Sequence, residues 1–531
     1  MLHNNLLLII SLFLGIAILT MISNKLKLSY PILLVISGLL ISLIPGVPAI
    51  VLEPDIVFLI FLPPLLYAAA WNTSWHEFWK WKRPISLLAF GLVIFTSAAV
   101  ALVSNAIIPG FSLAFGFLLG GIISPPDAVA ATSVLQGLRI PKRVVAILEG
   151  ESLVNDASSL IVFRFALAAI ITGQFQLWDA TKTFALVAIM GIVIGVAVAG
   201  IVYAIHRFFP TTSNIDSAIT LITPYIMYLT AEHFHFSGVL AVVSGGLFLT
   251  YRSQEIFSYE TRLSVAGVWD TLIFLLNGFV FILIGLQLPQ IVKGLGDYSV
   301  GEAVLYAIII SLLTIIIRII WVFPNAYLPR ILFKSIREKE ARPTWQAVFI
   351  VAWSGMRGVV SLAAALAIPL TLDGKPFPYR NLILFITFVV ILVTLVLQGL
   401  SLKPLIRYLD LPAGDKEAER KQALALRVKL AESVLAYIDA NYMEQSQQEE
   451  TYKRVRDRYE RMIEITRKKL ESDEPDDESE SFLPQYRQML VELVHIRRRE
   501  LNYFRYKGTF SEDLIREREW ELDLEEARLR N

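Results

Sequence analysis

Cysteine is absent from the 531 residues. With it go disulfide frameworks, thiol catalysis and cysteine–zinc sites. Charge is scarce as well. Asp, Glu, Lys and Arg make up 18% of the chain and crowd into its last part. The formal net charge of +1 gives no basic field of the kind a nucleic-acid partner needs. Neither a G-x-G-x-x-G fingerprint nor a P-loop occurs, so nucleotide binding finds no support. The opening Met-Leu-His-Asn-Asn lacks a basic n-region, so the first apolar run reads as an uncleaved span.

Apolar sequence is what the chain has in quantity. Hydrophobic residues make up 55%, and the mean hydropathy is +0.58. That is the composition of an all-α polytopic membrane protein with one polar appendage. Crossing a bilayer takes about 20 apolar residues. Such stretches fall near 5–23, 30–48, 54–71, 84–107, 111–136, 143–171, 180–206, 214–233, 236–251, 263–288, 299–328, 343–370 and 380–405, thirteen in all. Alternate loops carry the basic residues, from Lys25 and Lys27 through Arg139, Lys142 and Arg143 to Arg330, Lys334 and Arg337. The intervening loops are nearly bare. Basic loops stay in the cytoplasm, which predicts the N-terminus outside and the C-terminus inside. A membrane domain over 1–410 and a cytoplasmic helical domain over 411–531 follow. In the latter, Leu424, Val428, Ala431, Leu435, Ile438 and Tyr442 share one helix face. Residues 450–471, 485–506 and 511–529 read as further helices, and Asp473 to Ser481 as an acidic linker.

The sixth stretch contains Glu151, Ser152, Asn155 and Asp156 inside otherwise apolar sequence. A carboxylate in hydrocarbon is costly and marks an ion or proton path. Ser152 and Asp156 are four apart and share a helix face, as do Glu151 and Asn155. Ser152 and Asp156 can offer oxygens to one hard cation. Glu151 is placed either to hold Asn155 or to meet Arg318, a guanidinium deep in the eleventh stretch that needs a partner or a route to the interface. Interhelical hydrogen bonding would explain Ser152 or Asn155 alone. It does not readily explain two acids within one span.

Two stretches are interrupted. Ile-Ser-Pro-Pro-Asp-Ala-Val at 123–129 should break the fifth, because adjacent prolines remove donors and clash with the preceding turn. Trp-Ser-Gly-Met-Arg-Gly at 353–358 interrupts the twelfth, with Arg357 between two glycines. The two run in opposite senses, seven stretches apart. They suggest inverted repeats with a binding site where they cross. Pro and Gly kinks are also common in membrane helices without such a role. Asn277 and Asp270 are polar positions in the tenth stretch, with Asp270 near the solvated end. His206, His233 and His235 lie near span ends and read as solvated, Trp71, Trp75, Trp79 and Trp81 read as an interfacial belt, and Arg164 is given no role.

Glu149-Gly150-Glu151-Ser152 with Asn155-Asp156, Ser124-Pro125-Pro126-Asp127-Ala128-Val129, and Gly355-Met356-Arg357-Gly358 together resemble the sodium/proton exchanger branch of the monovalent cation/proton antiporter superfamily. The likeness covers about residues 1–407. It implies a thirteen-helix fold with two crossed, unwound helices, a homodimer, a multi-pass plasma-membrane location, and a transporter rather than an enzyme, with no cofactor. It also implies roles. Asp156 would bind Na⁺ and H⁺ alternately, with Asn155 marking electroneutral exchange. Ser152, Asp127 and the Pro126 carbonyl would complete the cation site, and Glu151 with Arg318 would form a buried ion pair. K⁺ or Li⁺ are the other expected cargoes. The chain departs from the family where Pro126-Asp127-Ala128 stands in place of the frequent Thr-Asp-Pro. Two other classes fit the sequence less well. A cation channel would favour a repeated filter, which is not seen. An intramembrane aspartyl protease has only Gly294-Leu295-Gly296-Asp297 in its favour, and that string falls in a loop.

Overall fold

The structure is a computed structural model. It describes residues 2–26, 29–44, 54–135, 138, 140–173, 177–296, 298–339, 342–409, 416–471, 479–507 and 510–530. Residues 473–478 of the expected acidic linker, Arg139 and Asp297 of the Gly-Leu-Gly-Asp string lie outside the described residues, while Ser479 to Ser481, expected in the linker, open the helix Ser479–Lys507. The chain divides into two compact units, Met1–Gly414 and Asp415–Asn531.

The first unit is built from α1 (Leu2–Leu26), α2 (Tyr30–Ser42), α3 (Pro54–Asn72), α4 (Val93–Ile107), α5 (Leu113–Ile123), α6 (Ala128–Leu135), α7 (Lys142–Thr172) and α8 (Leu177–Phe208). It continues with α9 (Ser213–His233), α10 (Gly238–Ile256), α11 (Tyr259–Leu286), α12 (Val300–Leu332), α13 (Trp345–Trp353), α14 (Val359–Leu366), α15 (Arg380–Val393) and α16 (Gly399–Leu409). Each expected stretch holds helix. By length and composition, however, seven helices among the described residues can cross a membrane, Lys142–Thr172 and Val300–Leu332 among them. The twelfth stretch falls short because it is split into helices of 9 and 8 residues. A two-strand hairpin, Thr371–Leu372 with Lys375–Pro376, turns at Asp373 and Gly374, both with positive φ. Asp-Gly suits that turn.

Both predicted breaks are present, and each has a local cause. Pro125 and Pro126 have no N–H to give, and the helix stops after Ile123. It restarts at Ala128 because the Asp127 carboxylate caps the new N-terminus, accepting from the Val129 N–H at 2.8 Å. The other break runs over 354–358, between α13 and α14. One backbone bond joins the two broken regions: Asp127 N–H donates to the Met356 carbonyl at 2.7 Å.

Small residues bring the neighbouring helices close. A Cβ on Gly116 would sit 2.5 Å from the Ala101 Cα, and one on Gly120 would sit 2.6 Å from the Ser97 Cα. α5 therefore lies backbone-to-backbone on α4, the packing that small residues allow in membranes. Ahead of α4, residues Leu87–Leu92 form a π-helical turn, which leaves carbonyls without their usual partners. The Trp321 indole donates to the Leu87 carbonyl at 3.0 Å, and the Ser158 hydroxyl donates to the Ala89 carbonyl.

The second unit comprises α17 (Lys416–Asn441), α18 (Glu450–Glu471), α19 (Ser479–Lys507) and α20 (Glu512–Arg530), with a short helix Met443–Gln448 between the first two. α17 packs on α18 around Val428, Ala431 and Ile463, with Leu435 at the edge. Tyr442 does not join that seam, because it falls one residue past the end of α17 and is exposed. Ion pairs line the helix pairs, such as Arg456 with Asp439 at 3.0 Å and Arg497 with Glu525 at 2.7 Å. Surface pairs of this kind contribute little stability singly.

Candidate cation site

α7 brings four polar residues into the packed interior. Glu151 is 1% exposed, Asn155 0% and Asp156 7%. Helical spacing puts Ser152 and Asp156 on one face, and both line a single cavity of about 50 Å³. Pro125, Pro126 and Asp127 of the fifth-span break line it too, as do 358–361 at the start of α14. One water needs about 10–15 Å³, so the space holds about three to five waters, enough for a small cation with only part of its hydration shell. Leu62, Leu65, Leu66 and Ala69 of α3 and Asn277 of α11 line it as well.

The two carboxylates in this cavity are held differently. Asp127 accepts from Val129 N–H, and the amides of Ala130 and Val359 also face it. These are the first turns of α6 and α14, whose N-termini favour negative charge. Gly358 lies directly against it: a Cβ there would come 1.8 Å from the Asp127 Oδ2. The Asp156 carboxylate has no such support. It accepts no hydrogen bond and meets no cationic side chain among the described residues.

The remaining polar groups fix the frame around the cavity. Asn155 Nδ2 donates to the Pro126 carbonyl at 2.9 Å, tying α7 to the unwound turn. The Ser152 hydroxyl accepts from the Ala128 N–H at 3.2 Å. The idea that Glu151 steadies Asn155 is not what the structure has. Glu151 turns away to Arg318, which grips it with two bonds at 2.5 and 2.8 Å. Arg318 also donates to the Val351 carbonyl from Nε at 3.3 Å and Nη2 at 3.1 Å. Its side chain is 1% exposed, so it does not reach for the interface. Arg357 is equally buried, and its backbone N–H donates to Thr394 Oγ1 at 3.1 Å. Its Nε and Nη1 have no hydrogen-bond partner among the described residues.

Several residues sit elsewhere than the sequence suggested. His206 is buried, not solvated, because Asp216 on the next helix faces its Nδ1 at 2.7 Å. Trp81 is buried under the Arg143 guanidinium, 4.2 Å from its ring, and bonds Glu77 at 2.9 Å, so it leaves the proposed belt. Trp75 and Trp79 are exposed, as are His233, His235 and Asp270. Arg164 pairs with Glu232 at 2.8 Å. The Met356 and Val351 carbonyls were not legible beforehand, since backbone groups carry no sequence signal. Asn277 is legible in the sequence as a polar position, but its place at the cavity is not.

Comparison with known proteins places the chain in a family. A family model described as the transmembrane sodium/hydrogen exchanger matches residues 9–408. A sodium, potassium, lithium and rubidium/H⁺ antiporter of Bacillus pumilus is 34% identical over 70% of this chain and 57% of its own length. The chain thus spans a little over half of that relative. A Na⁺/H⁺ antiporter of Aphanothece halophytica is 33% identical over 82% of this chain and 80% of its own. Among solved structures, a sodium proton antiporter from Methanocaldococcus jannaschii superposes with a TM-score of 0.61 at 19% identity, over 75% of this chain and 99% of that one. That likeness speaks for the fold, a polytopic all-helical membrane protein. The match over residues 9–408 places the chain in the sodium/hydrogen exchanger family, a family of membrane transporters and not of enzymes.

Proposed function

We propose that the protein exchanges Na⁺ for H⁺ across a membrane, and that the two compete for the Asp156 carboxylate. The observation that carries this is the environment of that side chain. It is buried, it has no hydrogen-bond or ionic partner among the described residues, and it opens on a cavity shared with Asp127 and Ser152. A bare carboxylate in such a place is costly, and either a proton or a cation relieves the cost. Asp127 is already supported by helix N-termini, so Asp156 is the group that must be neutralised anew in each half-cycle. Ser152, the Pro126 carbonyl and Asp127 supply hard oxygens to a Na⁺ resting there. Asn155 holds the Pro126 carbonyl in position, and Glu151 with Arg318 anchors α7 to α12. One charge moves each way, so exchange is electroneutral.

Alternating access follows if the broken helices move with α7 against α3 and α11, opening the cavity to one face and then the other. The alternation of basic loops supports a cytoplasmic C-terminus, with 1–410 as the transport domain, 411–531 as a cytoplasmic helical domain, and a location in the plasma membrane. A homodimer is the assembly that the family resemblance implies. The cargo range is where a second reading enters. The Bacillus pumilus relative is named for potassium, lithium and rubidium as well as sodium, so K⁺/H⁺ exchange at the same site is the alternative.

The test is a pH-dye flux measurement in proteoliposomes, with Na⁺, Li⁺ and K⁺ pulses across a range of pH. Wild type should move protons only when a cation is added, with Asp156→Asn inactive yet eluting as folded protein. Cation-dependent proton movement in that variant would defeat the assignment. Cation flux without a counter-proton would indicate a channel.

A further inference from the structure

We propose that Asn277 belongs to the cation site and tunes which alkali ion it takes. This inference rests on the exchanger reading and adds to it a residue from outside the broken helices. Three observations on α11 carry it.

The first is position. Asn277 lines the same cavity as Asp127, Ser152 and Asp156, and α3 and α11 together supply a wall of it. The four α3 residues on that wall are leucine or alanine, so Asn277 is its polar point among the described residues. The second is burial without a partner. Asn277 is 2% exposed, and its side-chain amide makes no hydrogen bond among the described residues. A buried amide left bare is costly, and native proteins seldom keep one without a ligand or a water. The third is that the residue stands alone in its surroundings. It interrupts the apolar run Leu272 to Leu286, where a leucine would fill the same space at no polar cost. The next residue, Gly278, is pressed on α1: a Cβ there would meet the Ile16 Cγ2 at 2.4 Å. That contact packs the α11 backbone against α1 one residue from Asn277.

An amide oxygen is a neutral, hard donor that suits Na⁺ or Li⁺, either directly or through one retained water. Being neutral, it leaves the count of exchanged charges unchanged. Its effect is on affinity and on the ranking of ions by size. Because it sits on a different helix from either carboxylate, it touches the cation only while α11 and the broken helices are together.

The experiment uses the full chain in proteoliposomes, comparing wild type with Asn277→Leu and Asn277→Ser. Half-saturating Na⁺, Li⁺ and K⁺ are read from dye fluxes. Thermal unfolding in detergent, with and without each cation, gives a second readout that does not depend on transport. Asn277→Leu should raise half-saturating Na⁺ about five- to tenfold and change the Na⁺/Li⁺ ratio. It should also shrink the Na⁺-induced rise in unfolding temperature. Asn277→Ser, which keeps an oxygen, should lie between Asn277→Leu and wild type. If both variants keep the wild-type half-saturation and ion ranking within twofold, the inference is overturned, whatever their stability. The same holds if they lose stability equally in every salt while the cation-induced rise is unchanged. If Asn277→Leu does not fold, the Asn277→Ser values decide by the same criteria. Failure of wild type itself to couple cation and proton would sink the exchanger reading instead, and the cation-induced thermal shift would still judge Asn277.

Discussion

Replacing Arg318 with methionine tests the tertiary frame of the site. Arg318 makes two bonds to Glu151, at 2.5 and 2.8 Å, and two to the Val351 carbonyl, at 3.3 and 3.1 Å. Both charged side chains are 1% exposed. Removing one partner of such a pair costs about 3–5 kcal/mol, because the other charge stays behind with neither water nor counter-ion. Arg318→Met should therefore be destabilised by about that amount. Glu151→Leu alone should suffer similarly. The double variant Glu151→Leu/Arg318→Met removes both members of the pair, leaving only the buried Arg357 charge nearby, and apolar replacement of a buried pair is often neutral or stabilising. The Val351 carbonyl still loses its donor, at about 1–3 kcal/mol. The double variant should thus be more stable than either single. The assay is denaturant unfolding of purified protein in detergent, with size-exclusion elution as a check on folding. Single variants within about 1 kcal/mol of wild type, or a double variant as unstable as the two losses summed, would refute the reasoning.

Two further outcomes follow from the geometry. Gly358→Ala puts a Cβ 1.8 Å from the Asp127 Oδ2, so the carboxylate must move off the α6 N-terminus. Half-saturating Na⁺ in a flux assay should rise by about tenfold, or about 1.4 kcal/mol. The added Cβ would also lie 2.7 Å from the Asp127 Cβ, so the background that removes the clash is Asp127→Gly. There Gly358→Ala should add nothing; an undiminished extra loss would place the clash elsewhere. Asp216→Ala leaves the buried His206 ring without its partner at 2.7 Å. It should lower stability by about 1–3 kcal/mol in thermal unfolding, with half-saturating Na⁺ unchanged. An altered Na⁺ dependence would mean the pair belongs to the transport path.

The pairing of Ser152 with Asp156, the break at Pro125-Pro126 and the interruption at 353–358 were legible because each is local. Helical periodicity fixes which side chains share a face, proline cannot continue a helix, and charge in hydrocarbon is conspicuous. Glu151 carried two readings, and spacing could not choose between them. Arg318, 167 positions away, decided the matter by arriving at 2.5 Å. His206 and Trp81 were misplaced for the same reason, since their partners Asp216 and Arg143 come from other turns of the fold.

The sequence alone determined a helical membrane protein with acids and broken helices in its interior, since hydropathy and backbone chemistry act over a turn or two. Only tertiary structure decided that Asp127 is held by helix N-termini while Asp156 is left bare, and that Gly358 and Asn277 complete their surroundings. The physical reason is that a polar group's energy in a membrane interior depends on what packs beside it, and those neighbours come from distant parts of the chain.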